Sequence, residues 1–526
     1  MSSKKNILMI LVDEERMPMH FPEGIELPAR QWLRERGVSF DNYHVTTAPC
    51  TPARSVIFTG QHALRTGMLD NTNFPYIRDM RPEIATLGDM AAAAGYYSVY
   101  KGKWHLARID DTQDPRVTTE NAMQPYGFND FQHDGDLHSV ALEGHTHDGR
   151  IISDAIYWLD QWVNYRTEES EAKPFFMVCA LVNPHDIMTV DIDGTGTVQQ
   201  QSADAAALMA IMSPPDHALY REQHEVELCE SWKRDFNRET YESKPRAHRE
   251  FDRIFTGFFG DIPKDEAMWK AYVNYYINCQ RDVDRQMMRL LRHLEQSGLA
   301  EDTIVIFTAD HGEMAGAHGH RTKGPFIYKE NNNVPLTICH PDGVRGVTTK
   351  ALGSALDLAP TLMSLCGLEQ DQRTRFPDLL GHDLSPLVFD VDATGTRTSL
   401  LFTYSALSFL DADFVLGHTK KFDFKKRGLL LGIRTATHKF ARYFAPIVKD
   451  PLPTTIEVLR AEFDLELYDL ESDPDEITNL ANDPANDALV LELNRQLNAL
   501  VEAELLDVEI PTRIPRDISM LRGALT

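Results

Sequence analysis

Short apolar runs that end in polar residues recur along the chain at 6–12, 98–100, 175–182, 303–308 and 336–339. They are β-branched and nearly continuous rather than alternating. Such runs suit strands buried on both faces, in a parallel or mixed sheet covered by helices. Helical stripes lie between them. In 151–165, apolar residues fall at 151, 152, 155, 156, 159 and 162. The stretch 265–298 carries Trp269, Tyr272, Val273, Tyr276, Val283, Met287, Leu290, Leu291 and Leu294 on a period near 3.6. Strands alternating with helices predict an α/β layer fold around a large, mostly parallel sheet.

Two regions break the pattern. Residues 187–262 are polar and irregular, with a charged helical stretch near 220–237; they read as an insertion at the mouth of a site. Beyond Pro386 the chain turns to alternating strands around 399–404 and 429–443, then a helix over 487–504. The predicted organisation is a catalytic domain over 1–386 and a smaller α+β subdomain with an antiparallel sheet over 387–526. The length of 526 residues agrees, being too great for one ordinary core.

Charge narrows the partners. Lys and Arg number 53 and Asp and Glu 79, a formal net charge of −26. Coating nucleic acid or an anionic membrane needs surplus Lys and Arg, so both are excluded as partners. The apolar run at 6–12 meets Asp13, Glu14 and Glu15 where a leader would show a small-residue cleavage site. No window approaches the roughly 20 apolar residues of a membrane span. The expectation is a soluble, cytoplasmic protein. Six scattered cysteines form no disulfide framework.

Candidate chemistry gathers at strand ends. The first strand runs into Asp13-Glu14, and the strand at 303–308 into Asp310-His311-Gly312-Glu313. Open α/β sheets bind ligands beyond the carboxyl ends of their strands. Two acidic pairs there could share one divalent cation. Three carboxylates favour Ca²⁺, Mg²⁺ or Mn²⁺, whereas an imidazole pulls towards Mn²⁺ or Zn²⁺. In Cys50-Thr51-Pro52-Ala53-Arg54, Pro52 suits a first helical turn. Cys50 then sits at a helix N-terminus, where free N–H groups attract anions, and Arg54 adds a permanent planar cation. Lys103 and His105 are two apart and would share a face if the segment is a strand. The stretch Gly144-His145-Thr146-His147-Asp148 reads as a polar loop rather than a second metal site.

These motifs together resemble the type I, formylglycine-dependent sulfatase family of the alkaline phosphatase superfamily, including arylsulfatases and the phosphonate monoester hydrolase branch. The resemblance rests on Cys50-Thr51-Pro52-Ala53-Arg54, Gly102-Lys103-Trp104-His105, Asn183-Pro184-His185 and Asp310-His311-Gly312-Glu313 with Lys323-Gly324. The closing segment Glu466-Leu467-Tyr468-Asp469-Leu470, with Asp473-Pro474-Asp475-Glu476, also fits. The motifs run in family order from residue 6 to about 485.

The resemblance implies an alkaline-phosphatase-like α/β/α sandwich and an enzyme cleaving sulfate monoesters in arylsulfatase fashion. It implies that Cys50 is oxidised to formylglycine by a maturation enzyme. One hydroxyl of the hydrated aldehyde would attack sulfur, and the second would expel sulfate by re-forming the aldehyde. Asp13, Glu14, Asp310 and His311 would hold one divalent ion, Ca²⁺ first and Mn²⁺ or Mg²⁺ as alternatives. Arg54 and Lys103 would neutralise charge, His105 would serve as base, and His185 with Lys323 would bind sulfate and protonate the leaving oxygen. Asn71 resembles a substrate-facing asparagine of the phosphonate hydrolase branch.

The sequence departs from the commonest family pattern at Glu14, where many members have aspartate, and at His311, where many have asparagine. Asp13 and Asp310 are thus the firmest ligands and Glu14 the least firm. The alternative activity is phosphonate monoester or phosphodiester hydrolysis at the same site, and a remote one is an inactive metal-binding scaffold. The substrate is a small anionic ester in each active case. A homodimer or higher homo-oligomer is expected, with the tail at 510–526 a candidate contact.

Overall fold

The computed structural model describes residues 4–505, apart from 18, 20, 75, 110–120, 132–134, 139, 165–172, 193–209, 236–240, 242, 369 and 394–396. Its strands are β1 (Asn6–Asp13), β2 (Val38–Phe40), β3 (Tyr43–His44), β4 (Tyr97–Gly102), β5 (Phe175–Pro184), β6 (Thr303–Ala309), β7 (Leu336–Cys339), β8 (Val347–Thr349), β9 (Gly353–Ser354), β10 (Ser399–Tyr404), β11 (Leu429–Thr435), β12 (His438–Phe444) and β13 (Asp464–Asp469). Seven form one sheet in the order β4-β5-β1-β6-β7-β2-β8.

The four strands β4, β5, β1 and β6 are mutually parallel, with Ile10 of β1 opposite Cys179 of β5 and Phe307 of β6. Residues 7 to 12 of β1 are all buried although alternate side chains point to opposite faces. Helices therefore cover the sheet on both sides. Burying a Val, Leu or Ile side chain contributes about 1.5–3 kcal/mol, so this central strand is a main anchor of the core. β7 runs antiparallel to β6, which makes the sheet mixed.

The two long helical stripes form Glu143–Asn164 and Glu266–Gln296, which pack on each other and on β5. The second starts at Asp265, whose side chain accepts the Met268 N–H. The first begins earlier than its stripe. Residues 144–148 are its opening turns and not a loop, because the Asp186 carboxylate accepts the N–H groups of Gly144 and His145 at 3.0 and 2.9 Å. A side-chain acceptor from a distant element caps this helix, and local spacing does not show it. The charged stretch near 220–237 forms two short helices, Ala218–Arg221 and Glu230–Asp235.

Strands β10 to β13 form a second, antiparallel sheet in chain order. Helix Asp487–Leu505 covers one face, packing Leu493, Leu497 and Val501 against Leu401, Leu431 and Phe440. The other face carries Phe402, Tyr404, Tyr443 and Tyr468, which join Phe251 and Phe255 of helix Arg246–Phe259 and also Phe326 and Tyr328. The smaller sheet thus backs a helix from the 187–262 stretch. The tail at 510–526 lies outside the described residues. No helix among the described residues is long and apolar enough to cross a membrane.

Candidate active site

The parallel strands deliver their carboxyl ends to one edge. Asp13 closes β1, Asp310 follows β6, His185 follows β5, and Lys103 follows β4. Lys103 and His105 are not on a strand, as the two-residue spacing allowed. β4 ends at Gly102, whose φ of 97° turns the chain, and His105 itself has a φ of 59°. The Asp136 carboxylate accepts the N–H groups of Trp104 and His105 at 2.7 and 2.8 Å. The His105 carbonyl accepts the Thr51 hydroxyl at 2.6 Å. A loop, pinned on both sides, sets the imidazole.

Cys50 opens a helix, Cys50–Thr59, in which every residue is buried. Arg54, one turn on, donates to Asp310 Oδ2 at 2.9 Å, to Asp13 Oδ2 at 3.3 Å and to the Lys103 carbonyl at 2.7 Å. Lys103 also binds Asp13 Oδ2. Each aspartate gives one oxygen to these cations and keeps the other for a second cluster. There, His311 Nε2 lies 3.2 Å from Cys50 Sγ, 3.4 Å from Asp13 Oδ1 and 3.6 Å from Asp310 Oδ1. Cys50 Sγ is 3.8 Å from Asp13 Oδ1. Two buried carboxylate oxygens, an imidazole nitrogen and the Cys50 side chain converging in this way fit a divalent cation.

Glu14 is buried beside this cluster but turns another way. Its carboxylate accepts from Thr322 Oγ1 at 2.8 Å and Lys323 Nζ at 2.9 Å, and lies 3.5 Å from His185 Nε2. It groups with Asp13 and His185 rather than with His311. Lys323 Nζ also lies 2.9 Å from His185 Nε2; an ammonium can only donate, so a neutral His185 accepts there and holds its proton on Nδ1. Asn71 Oδ1 accepts the Thr51 N–H at 3.0 Å, which leaves its amide nitrogen as the group it can offer the cavity.

Burial and charge set the protonation states. Burial alone would raise Asp13, but Lys103, His185 and Arg54 hold it well below the usual carboxylate range. Burial, opposed by Lys323 and reinforced by Glu313, lifts Glu14 well above that range. Burial, and then Lys103, depress His105; burial and Lys323 depress His185. Burial opposes charge on Lys103 and Lys323, yet Asp13 raises the first and Cys50 with Glu14 the second. Burial, with Asp13, pushes the Cys50 thiol up to about 12. As a thiol Cys50 is therefore protonated at neutral pH and a poor nucleophile.

A cavity of about 270 Å³ opens from Cys50, His105, His185 and Lys323. Sequence reasoning missed Asn73, whose side chain contacts His105 Nε2, and Asp136 and His138 beside it. It also missed the aromatic wall of helix Arg246–Phe259. Phe251, Phe255, Phe258 and Phe259 carry a helical period that was visible in the sequence; Asn73 and Asp136 carry no local signal.

A family model described as Sulfatase matches residues 5–368, which hold all the strand-end groups described above. The chain belongs to the sulfatase family. This sulfatase is 23% identical over 517 residues to the N-acetylglucosamine-6-O-sulfatase of Bacteroides thetaiotaomicron, covering 91% of this chain and 83% of that one. It is 25% identical over 505 residues to the choline-sulfatase of Rhizobium meliloti, covering 92% and 83%. Its fold is shared with the phosphonate monoester hydrolase of Agrobacterium radiobacter, at a TM-score of 0.64 and 20% identity over 95% of this chain and 96% of that one. The alkaline-phosphatase-like architecture expected from the sequence is the one observed.

Proposed function

We propose that this sulfatase hydrolyses sulfate monoesters in arylsulfatase fashion, through a formylglycine made from Cys50 and with one divalent ion. The observation that carries the reading is the position of Cys50. It lies at a helix start, within 3.2 Å of His311 and 3.8 Å of Asp13, and lines the cavity. As formylglycine, the residue would supply a hydrated aldehyde whose hydroxyl is nucleophilic and whose carbonyl can re-form. Asp13, Asp310 and His311 would hold the ion, with Glu14 at its margin. The ion would lower the proton affinity of the bound hydroxyl and polarise the sulfuryl oxygens.

The remaining work falls to the chain's own groups. Arg54 is anchored by both aspartates and fixes their spacing while adding positive charge. Lys103 keeps Asp13 ionised. His105 is held neutral, so it can accept a proton. Lys323 is held protonated against His185, so the pair can bind the ester oxygen and give it a proton as the alcohol leaves.

A second reading, phosphonate monoester or phosphodiester hydrolysis, is favoured by Asp310-His311 and by the shared fold. Lys103-Trp104-His105 favours sulfate. The test is peptide mass spectrometry on Cys50 from a host with the maturation enzyme, followed by rates on phenyl sulfate and phenyl phenylphosphonate. Aldehyde at residue 50 and a sulfate preference are expected. An unmodified thiol in active protein sinks the mechanism. A phosphonate preference of about 100-fold, about 2.7 kcal/mol in barrier, moves the assignment to the second reading.

A further inference from the structure

The far side of the cavity is built by one element. Helix Arg246–Phe259 presents Phe251, Phe255, Phe258 and Phe259, spaced so that they share a face. Phe255 and Phe259 stack with ring centroids 4.5 Å apart. Phe251 meets Phe409 of the smaller subdomain at 4.8 Å. Phe74 and Met188 extend the same apolar lining.

The lining is predominantly apolar, and several of its polar groups are engaged. Asn73 contacts His105, Ser408 Oγ donates to Asp70 Oδ2 at 2.6 Å, and Thr322 donates to Glu14. Among the described residues that line the cavity there is no carboxylate and no arginine. Its one lysine, Lys323, is paired with Glu14. At about 270 Å³ the space falls just below the usual range for drug-sized ligand pockets, about 300–1,000 Å³.

From this wall we infer that the leaving group is a compact, uncharged hydrocarbon, aryl or branched alkyl, selected by Phe255, Phe258, Phe259 and Phe409. The inference rests on the sulfatase reading. A sugar would bring several hydroxyls against phenyl rings, and each unpaired hydroxyl costs free energy on burial. A second sulfate would lose its water with no spare cation to meet it. A quaternary ammonium gains from aromatic faces, but here it would share the cavity with the Lys323 charge and find no carboxylate.

The experiment compares primary alkyl sulfates, each rate divided by that ester's uncatalysed hydrolysis rate, on protein whose Cys50 has been verified as formylglycine. They are neohexyl sulfate, choline sulfate (its cationic isostere), ethyl sulfate and a hexose sulfated on its primary hydroxyl. The expected kcat/KM for neohexyl sulfate exceeds that for choline sulfate and for the hexose ester by about 100-fold, about 2.7 kcal/mol. Phe258→Ala and Phe409→Ala, both at half-buried positions, are expected to lower the neohexyl rate about tenfold and leave ethyl sulfate within about twofold, one ring contact being worth roughly 1.4 kcal/mol. Faster turnover of the hexose or choline ester overturns the inference while the sulfatase reading stands. An unchanged neohexyl-to-ethyl ratio in both variants overturns the assignment to these rings. No turnover of any sulfate ester overturns the sulfatase reading itself.

Discussion

His105 shows how single contacts set a chemical role. Its backbone is held by Asp136 and Thr51, and its Nε2 faces Asn73 Oδ1, an acceptor. The proton therefore resides on Nε2, and Nδ1 keeps its lone pair, with no hydrogen-bond partner among the described residues. Burial and Lys103 lower its proton affinity below the ordinary histidine value near 6.5. The neutral, base-competent form then persists as pH falls through 6.5 and is lost only below it. The acid limb of kcat/KM against pH is expected below 6.5. A limb above that value would remove His105 as the base. His105→Ala should cost about 10²–10⁴ in kcat, the usual worth of a positioned base. Asn73→Ala should cost less and shift the acid limb, because it frees the ring and not the reaction. A uniform fall in rate at every pH would make Asn73 merely structural. Neither Asn73 nor Asp136 was legible in the sequence, since each contact joins segments about 30 residues apart with nothing periodic between them.

The strands were legible for a different reason. A strand buried on both faces must be continuously apolar, so β1, β5 and β6 announce themselves, and so do the polar residues that follow each one. That is why Asp13 and Asp310 could be placed at one edge from the sequence pattern, whereas His185 entered only through the family resemblance. Turns after strands are less legible, because backbone approach is not written in polarity. At Gly102 an added Cβ would overlap the carbonyl oxygen of Ala180 on the neighbouring β5, and φ is 97°. Gly95 shares a positive φ of 88° but meets nothing nearby. Gly95→Ala should therefore cost only the backbone penalty, about 1 kcal/mol. Gly102→Ala should cost at least about 3 kcal/mol, since β4 must move away from β5. It should also lower kcat, because Lys103 and His105 follow directly. Urea denaturation of both variants checks this. Equal losses would mean that strand contact is not what requires the glycine.

At the scale of the whole molecule, a chain of net charge −26 acts on an anion. Within the site, Arg54, Lys103 and Lys323 face the carboxylates of Asp13 and Asp310 and that of Glu14, whose ionisation burial opposes, so the anions do not outweigh the cations. A divalent ion held there would leave the site positive by at least about two units, at short range and away from water, where salt screens little. The surface charge acts on the approaching ester through solvent, where screening is effective. The Debye length shrinks from about 30 Å at 0.01 M to about 8 Å at 0.15 M ionic strength. Long-range repulsion should therefore fade with salt while attraction inside the cavity persists. The expected outcome is that kcat/KM for a sulfate ester rises about two- to fivefold between these ionic strengths in sodium chloride. Steering by an extended basic surface would give the reverse, a fall with salt. That result would mean that the charges which matter to the substrate are not confined to the strand-end cluster, and that the cationic focus reaches beyond the cavity mouth.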